Sequence, residues 1–206
     1  MRVVAGTARG LRLSAPAGGD VRPTLDRVRE AVFNALGSLD VVSGAVVLDA
    51  FAGSGALGIE ALSRGAASAT FVDQERSAVE SVRANLASTG LDERARIVRG
   101  DTLVLLRGGD RALLGPFDLV LADPPYAYPD WAELVGSLRP VMADGAVLVT
   151  ESDRPLGPEV VTQVAAADGD ILRERRYGGT VVTMITFQAQ THDPPVDADG
   201  PAERPR

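Results

Sequence analysis

The chain has 206 residues, a length that fits one domain with small appendages. Its apolar content of 45% is typical of a globular protein, and no apolar run approaches the ~20 residues that a membrane-spanning helix needs. The absence of cysteine and the single histidine exclude disulfides, thiolate or histidine metal sites and a Ser-His triad. The first residues lack the apolar stretch of a secretory signal, and we expect a cytoplasmic protein.

The net charge of −7 argues against a generally basic nucleic-acid binder, but the cations are unevenly distributed. All of them are arginines, and six fall within the first thirty residues, against three acidic residues. Genome composition explains arginine in place of lysine, but it does not explain the clustering at one end. An RNA contact and ordinary surface pairing, Arg27 with Glu30 and Arg22 with Asp26, are both open interpretations of this cluster.

The first forty residues predict a small extension. Residues 1–20 alternate loosely around two glycines, which predicts a short hairpin followed by a loop. Pro23 then opens a helix, in which apolar residues recur at helical spacing as far as a stop at Gly37. We therefore expect an N-terminal hairpin and helix over residues 1–40.

From residue 45 onwards, strands alternate with helices. The patterns predict strands at 45–51, 69–73, 96–101, 117–122 and 145–150, helices at 56–64, 75–87 and 131–138, and an antiparallel pair at 171–176 and 180–187. Continuous apolar runs that alternate with helices are typical of an open, mostly parallel α/β sheet, which we expect over residues 41–188. Residues 189–206 are rich in Pro, Asp and Glu, and we expect a disordered tail.

A glycine-rich loop joins the first sheet strand to its helix, with the sequence Leu48-Asp49-Ala50-Phe51-Ala52-Gly53-Ser54-Gly55-Ala56-Leu57-Gly58. Glycines allow a tight turn and close approach to a ligand, and doubly wound sheets bind ligands at the carboxyl ends of their strands. Gly53, Gly55 and Gly58 also have the spacing of a dinucleotide loop, which leaves a nicotinamide cofactor open. The loop lacks the lysine and the spacing of an ATP-binding P-loop.

Acidic residues follow three successive strands beside this loop. Asp49 would repel a pyrophosphate but could bind a sulfonium-bearing amino acid, directly or through water. Asp73 can accept hydrogen bonds from ribose hydroxyls, as in dinucleotide enzymes, and Asp101 can accept one from an adenine amino group. Each acid alone is explained by a solvated strand end, but three of them beside one glycine loop favour a cofactor site.

The most specific motif is Asp123-Pro124-Pro125-Tyr126, at the end of the fourth sheet strand. Two prolines fix the backbone and remove two N–H donors, which leaves carbonyl acceptors free. The Asp123 side chain and the Pro124 carbonyl can accept both hydrogens of an exocyclic amino group, and Tyr126 would stack on a flipped base. A simple turn is the alternative for the tetrapeptide alone. Its place after the glycine loop favours methyl transfer from S-adenosylmethionine to such an amino group.

The block Arg22-Pro23-Thr24-Leu25-Asp26-Arg27-Val28-Arg29-Glu30, together with the stretch from Asp49 to Arg64, resembles the RsmD-type 16S ribosomal RNA guanine-N2 methyltransferases. The resemblance covers about residues 2–188. It implies a Rossmann-like class I methyltransferase fold with seven strands, an antiparallel C-terminal hairpin and the N-terminal extension. It also implies S-adenosylmethionine as cofactor and one guanine of 16S rRNA as target, within an assembled or assembling small ribosomal subunit.

The resemblance also implies the site residues by position. The cofactor would be lined by Asp49, Phe51, Gly53, Ser54, Gly55, Asp73, Gln74, Asp101 and Thr102, and the base would be held by Asp123, Pro124, Pro125 and Tyr126. The charge pattern adds a hypothesis of RNA phosphate contacts from Arg9, Arg12, Arg22 and Arg27. We expect a monomer with no metal.

Three rival functions are open at this point. A DNA amino-methyltransferase would use the same tetrapeptide on adenine N6 or cytosine N4, but it usually needs an added recognition domain. A non-catalytic cofactor-sensing module would have no use for an amino-group clamp. A nicotinamide-dependent dehydrogenase lacks an obvious catalytic Lys, His or Tyr-x-x-x-Lys here.

Overall fold

The structure, a computed structural model, describes residues 1–16, 23–113, 115–125 and 127–188. Seven strands form one sheet: β1 Val46–Asp49, β2 Ser68–Asp73, β3 Ala95–Arg99, β4 Phe117–Ala122, β5 Met142–Ser152, β6 Gly169–Tyr177 and β7 Thr180–Phe187. The helices are α1 Pro23–Ser38, α2 Ala56–Ser63, α3 Arg76–Thr89, α4 Thr102–Arg107, α5 Trp131–Leu138 and α6 Pro158–Ala166.

The strand order is β3-β2-β1-β4-β5-β7-β6. Strands β1 to β5 pair in parallel, and β7 is antiparallel to both β5 and β6. The order reverses between β1 and β4, and in open α/β sheets the ligand crevice lies at such a reversal. The predicted α/β fold with an antiparallel C-terminal hairpin is therefore confirmed.

The sheet buries both faces, as its continuous apolar strands predict. Val47 and Leu121 point to one apolar layer, which α1, α2 and α3 cover. Their neighbours Leu48 on β1 and Val120 on β4 point to the opposite apolar layer. Helices α4, α5 and α6 cover that layer. This alternation follows from the two-residue period of a strand, and it places α1 on the same face as α2 and α3.

The N-terminal residues form a compact loop closed by one antiparallel bridge between Arg2 and Arg12. The predicted hairpin is thus reduced to a single bridge with turns inside it. The loop lies so close to α2 that a Cβ on Gly6 would fall 1.8 Å from the Ser63 carbonyl oxygen, and the φ of Gly6 is +82°. Val3 and Leu13 enter the same apolar layer as α1.

Two helices, α4 and α6, were not predicted from the sequence patterns. α4 has six residues, which is too short for a strong helical periodicity. α6 has nine residues, one more than the predicted helices α2 and α5. β5 also extends beyond the predicted 145–150 at both ends. The predicted tail, 189–206, lies outside the described residues. In the described part of the chain, no helix is long and apolar enough to cross a membrane.

Candidate active site

Five acidic residues stand at or just beyond the carboxyl ends of the five parallel strands. Across the sheet, from β3 through β2, β1 and β4 to β5, they are Asp101, Asp73, Asp49, Asp123 and Glu151. Neighbouring strands lie about 4.8 Å apart. The parallel topology therefore gathers into one row acids that are far apart in the sequence.

A cavity of about 650 Å³ opens along this edge. Among the predicted site residues, its walls contain Phe51, Gly53, Asp73, Gln74, Asp101, Thr102, Asp123, Pro124 and Pro125. The volume falls in the range of small-molecule sites, which is about 300–1,000 Å³. Asp49, Ser54 and Gly55 do not line it.

The glycine loop has a backbone conformation and close contacts that residues with a side chain do not readily adopt. Gly53 and Gly55 have φ angles of +55° and +78°, in the left-handed region. Gly58 is helical, but a Cβ there would stand 2.4 Å from the Phe71 ring. The loop is also held from outside, because the Asn85 amide donates to the Ser54 carbonyl oxygen at 2.8 Å.

Asp49 lies beneath the loop and is only 1% exposed. One carboxylate oxygen accepts a hydrogen bond of 2.9 Å from the Gly58 N–H, and the other has no partner among the described residues. Burial raises its pKa to about 7, the Gly58 N–H lowers it, and the charges of Asp123 and Asp73 raise it further. Asp49 therefore anchors the loop from behind and adds negative charge close to the cavity.

Asp73 sits at the end of β2 and reaches back to the glycine loop. Its two oxygens accept hydrogen bonds from the Gly53 N–H at 2.8 Å and from the Glu75 N–H at 2.9 Å. An ionised carboxylate offers about four acceptor positions, so both oxygens can still accept from a ligand. Gln74 follows it in the wall of the cavity.

Asp101 and Thr102 mark the start of α4. Asp101 caps the helix by accepting a hydrogen bond from the Val104 N–H at 2.9 Å, and it is exposed at the mouth of the cavity. The buried Thr102 hydroxyl donates to the Ala50 carbonyl oxygen and so ties α4 to the loop after β1. Asp101 therefore stabilises the start of α4, whether or not it also contacts a ligand.

Asp123 opens the segment after β4 and faces the cavity. Its side chain is in contact with solvent in the cleft, yet the surrounding protein desolvates it enough to raise its pKa to about 6. Pro124 is buried and Pro125 is exposed. Tyr126, predicted to stack on a base, lies outside the described residues. The backbone of Ala127 has a φ of +61°, an uncommon conformation for a residue with a side chain.

An aromatic group that the sequence analysis did not identify lines the opposite wall. The Tyr128 ring makes edge contacts with Phe51 and with Trp131, each at 5.5 Å between centroids. Tyr128 and Trp131 belong to the cavity together with Phe51. Their proximity to the tetrapeptide was the available signal, but a tyrosine and a tryptophan near a helix start are as often core residues.

Glu151 is a third residue of the cavity that the sequence analysis did not identify, after Tyr128 and Trp131. Ala122 of β4 pairs with Thr150 of β5, so Asp123 and Glu151 are the next residues on two neighbouring parallel strands. Glu151 is 6% exposed and lines the cavity. Burial and the nearby charge of Asp123 raise its pKa to about 8. An acid at the end of a predicted strand was the same signal that identified Asp49 and Asp73.

Three of the four predicted RNA-binding arginines, Arg9, Arg12 and Arg27, belong to the described N-terminal segment. Arg9 and Arg27 line a second hollow of about 330 Å³, and Arg12 is exposed beside it. None of the three forms an ion pair with another described residue, so the Arg27–Glu30 pair that was the alternative interpretation is not formed. Arg22 lies outside the described residues. Within the described ranges, no cluster of His, Asp and Glu could hold a metal ion.

Arg29, which belongs to the same arginine-rich block, is a buried residue. It is 3% exposed and donates to Asp26 at 2.9 Å and to the Arg2 carbonyl oxygen at 2.5 Å. Its guanidinium also lies 3.6 Å from Glu60 of α2. This arginine therefore holds the N-terminal segment to the body of the protein.

Comparisons with known proteins give a consistent result. The family model described as conserved hypothetical protein 95 matches residues 1–186. The chain is 34% identical to ribosomal RNA small subunit methyltransferase D of Escherichia coli (strain K12), over 92% of this chain and 91% of that protein.

Solved structures agree with this match. The chain resembles YhhF of Escherichia coli with a TM-score of 0.75 and 35% identity, covering 92% of this chain and 99% of that one. At 17% identity and a TM-score of 0.66, the fold is shared with SMU.776, which was solved in complex with SAH; that match covers 81% of this chain and 50% of the other.

Proposed function

The chain belongs to the RsmD-type methyltransferase family described as conserved hypothetical protein 95, and from this premise we propose that it methylates the exocyclic N2 amino group of a guanine in 16S rRNA. S-adenosylmethionine is its methyl donor. The observation that carries the proposal is Asp123 and Pro124 facing the same cavity as Gly53 and Asp73. An amino-group clamp and a cofactor loop in one cavity are what a base amino-methyltransferase requires.

The residues of the cavity fit this cofactor. Asp73 has acceptor positions left for the ribose hydroxyls, and Asp101 stands where an adenine amino group can donate. The rings of Phe51 and Tyr128 offer apolar contact with a purine or with the thioether chain. The row of acids would favour the positively charged sulfonium and amino groups, and these cations would in turn favour the ionised carboxylates, including those of raised pKa.

The protein contributes to the reaction mainly by positioning. When bound, S-adenosylmethionine supplies a methyl group already activated by its sulfonium. Asp123 accepts one hydrogen of the attacking amino group, and the Pro124 carbonyl oxygen accepts the other, which turns the nitrogen lone pair toward the methyl group. As positive charge develops on that nitrogen, the Asp123 carboxylate stabilises it and can take up the proton that the nitrogen loses.

The N-terminal segment, residues 1–40, would form the RNA-binding extension of a methyltransferase domain spanning 41–188. Arg9, Arg12 and Arg27 are exposed cations without ion-pair partners in the described structure, in a chain of net charge −7. Such a small basic patch gives modest affinity for free RNA. We therefore expect a monomer that acts in the cytoplasm on rRNA within an assembled or assembling small subunit.

The test is transfer of a labelled methyl group to purified small ribosomal subunits, large subunits and duplex DNA, followed by mass mapping of the nucleosides. We expect label in small subunits alone, as N2-methylguanosine. Replacing Asp123 with Ala should abolish transfer and leave SAH binding within about tenfold of wild type.

Methylation of DNA at adenine N6 or cytosine N4 would show a DNA enzyme instead. Cofactor binding without transfer to any of the three substrates would indicate a sensing module. Either result would overturn the assignment to rRNA guanine.

A further inference from the structure

Glu151 is a buried acid in the wall of the cavity that the proposed transfer step does not use. It is 6% exposed, and within the described part of the chain no donor hydrogen-bonds to its carboxyl group. The buried side-chain atoms without a hydrogen-bond partner in the described structure do not include the Glu151 oxygens, so these oxygens reach the solvent of the cavity. A ligand in the cavity that replaces this water has to supply a donor in its place.

The place of Glu151 in the row of acids indicates which ligand it meets. Asp101, Asp73 and the glycine loop lie at or after the ends of β3, β2 and β1, on one side of Asp123. Glu151 is the penultimate residue of β5, on the other side. It is separated from the cofactor acids by the residue proposed to hold the amino group, so it faces the base and not the cofactor.

The three bases with an exocyclic amino group differ at the ring nitrogen beside it. In guanine, N1 carries a hydrogen and is a donor next to the N2 amino group. In adenine and cytosine, the corresponding N1 and N3 have no hydrogen and are acceptors. An acceptor placed beside the amino-group clamp would therefore favour guanine and disfavour the other two.

Building on the proposed function, we infer that Glu151 is a specificity residue whose carboxyl oxygen accepts the N1–H of the target guanine while Asp123 holds the N2 amino group. The two carboxyl groups come from adjacent positions on neighbouring strands, whose backbones lie about 4.8 Å apart, and the two donors are adjacent on one edge of the base. Glu151 on β5 would distinguish guanine from the other bases, and Asp123 after β4 would bind the amino group.

Glu151 accepts hydrogen bonds most strongly when it is ionised. Burial and the charges of Asp123 and Asp49 raise its pKa to about 8, and Arg29 from α1 lowers it, so the protonated form predominates at neutral pH in the cofactor-free protein. A sulfonium cation in the cavity and an N–H donor on the base both favour the ionised carboxylate. Substrate and cofactor would thus shift Glu151 toward the form that accepts hydrogen bonds.

The experiment uses reconstituted small subunits in which the mapped target guanine is kept or replaced by 2-aminopurine. That analogue keeps the 2-amino group but has no hydrogen on N1. Wild-type protein and the variants Glu151→Leu and Glu151→Gln are assayed on both substrates for kcat/KM. Glu93→Leu, at an exposed position outside the cavity, is the matched control.

We expect wild type to prefer guanine over 2-aminopurine by about 100-fold or more, since a site that binds a donor rejects an analogue without it. Glu151→Leu should lose about 10- to 100-fold in kcat/KM on guanine and much less on the analogue, which shrinks the preference. Glu151→Gln keeps an acceptor oxygen and should remain within about tenfold of wild type on guanine. Glu93→Leu should preserve both values.

An equal loss on both substrates in Glu151→Leu, with the preference intact, would overturn the inference and leave the proposed function standing. The same holds if Glu151→Gln falls as far as Glu151→Leu on guanine. A wild-type protein that transfers no methyl group to guanine would overturn both. SAH titration and thermal unfolding of each variant separate these outcomes from misfolding, and the Gln variant carries the test if Leu is not tolerated.

Discussion

The guanidinium of Arg29 lies 3.6 Å from the carboxylate of Glu60, and their side chains are 4% and 0% exposed. The same carboxylate accepts hydrogen bonds from the Val4 and Ala5 N–H groups, at 2.8 and 3.0 Å, and pairs with Arg64 at 2.7 Å. One buried acid of α2 thus fastens both α1 and the N-terminal loop to the sheet.

Replacing Glu60 with Gln should lower the free energy of unfolding by about 3 kcal/mol or more. The amide turns an N–H toward backbone donors and leaves buried arginine charge less well compensated. Denaturant unfolding measures the change. Glu80→Gln is the matched control: its pair with Arg76 has the same 2.7 Å distance, but the side chains are 77% and 56% exposed, so it should cost below ~0.5 kcal/mol. Equal effects in the two variants would contradict the anchoring role.

Replacing Gly58 with Ala should damage the cofactor loop. The added Cβ would lie 2.4 Å from the Phe71 ring and 3.1 Å from the Asp49 carboxylate, so the loop must move. We expect a loss of about 1–3 kcal/mol in stability and weaker SAH binding by calorimetry. Gly37→Ala is also helical and meets nothing within 4 Å, so it should be neutral or slightly stabilising. A Gly58 variant that binds SAH normally would show that the close packing is dispensable.

Replacing Asp49 with Asn should stabilise the cofactor-free protein at pH 8. The folded pKa of about 7 exceeds the ordinary value of 3.8, so between these values the folded state binds more protons than the unfolded state. The wild type therefore loses stability as pH rises through this window, and Asn, which does not titrate, is spared. We expect a gain of roughly 1–4 kcal/mol at pH 8 that disappears near pH 4. Unfolding curves at both pH values measure it, with the exposed Asp92→Asn as control; a pH-independent difference would contradict the mechanism.

Replacing Asp73 with Ala should weaken cofactor binding by about 10- to 100-fold. The substitution removes the acceptor for ribose and frees the Gly53 N–H that holds the loop. Calorimetry with SAH gives the affinity. Asp92→Ala, an exposed acid outside the cavity, should leave it unchanged. Unaltered SAH binding in the Asp73 variant would remove this residue from the cofactor site.

Neutralising Arg9 and Arg12 together, as Gln, should weaken binding to small subunits. If each contacts one phosphate, the slope of log affinity against log salt should fall by roughly 1–2. Binding is measured across a salt series, and SAH affinity should stay unchanged. Arg76 and Arg83 make a control pair, because they are exposed on α3 and not in the N-terminal loop. Wild-type binding with an unchanged slope would rule out phosphate contacts by Arg9 and Arg12.

Local patterns carry much of the fold. Continuous apolar runs predict the buried parallel strands. The predicted strands at 69–73 and 117–122 match β2 and β4 to within one residue at each end. The six-residue α4 has too few turns for a periodic signal, whereas the eight-residue α2 and α5 were predicted. The single bridge in the N-terminal loop depends on packing against Ser63, which no local pattern encodes.

The order of the elements, the glycine loop and the acids after the strands can be predicted locally, because each is a pattern of neighbouring residues. Which of these residues meet depends on the packing of the whole chain. This packing set Glu151 beside Asp123, joined Tyr128 to Phe51, and left Ser54 outside the cavity. Arg29, one of six clustered arginines, is a buried partner of Glu60. Strand pairing and side-chain direction depend on residues that are far apart in the sequence. For that reason, residues of one type can lie in the site, in the core or on the surface.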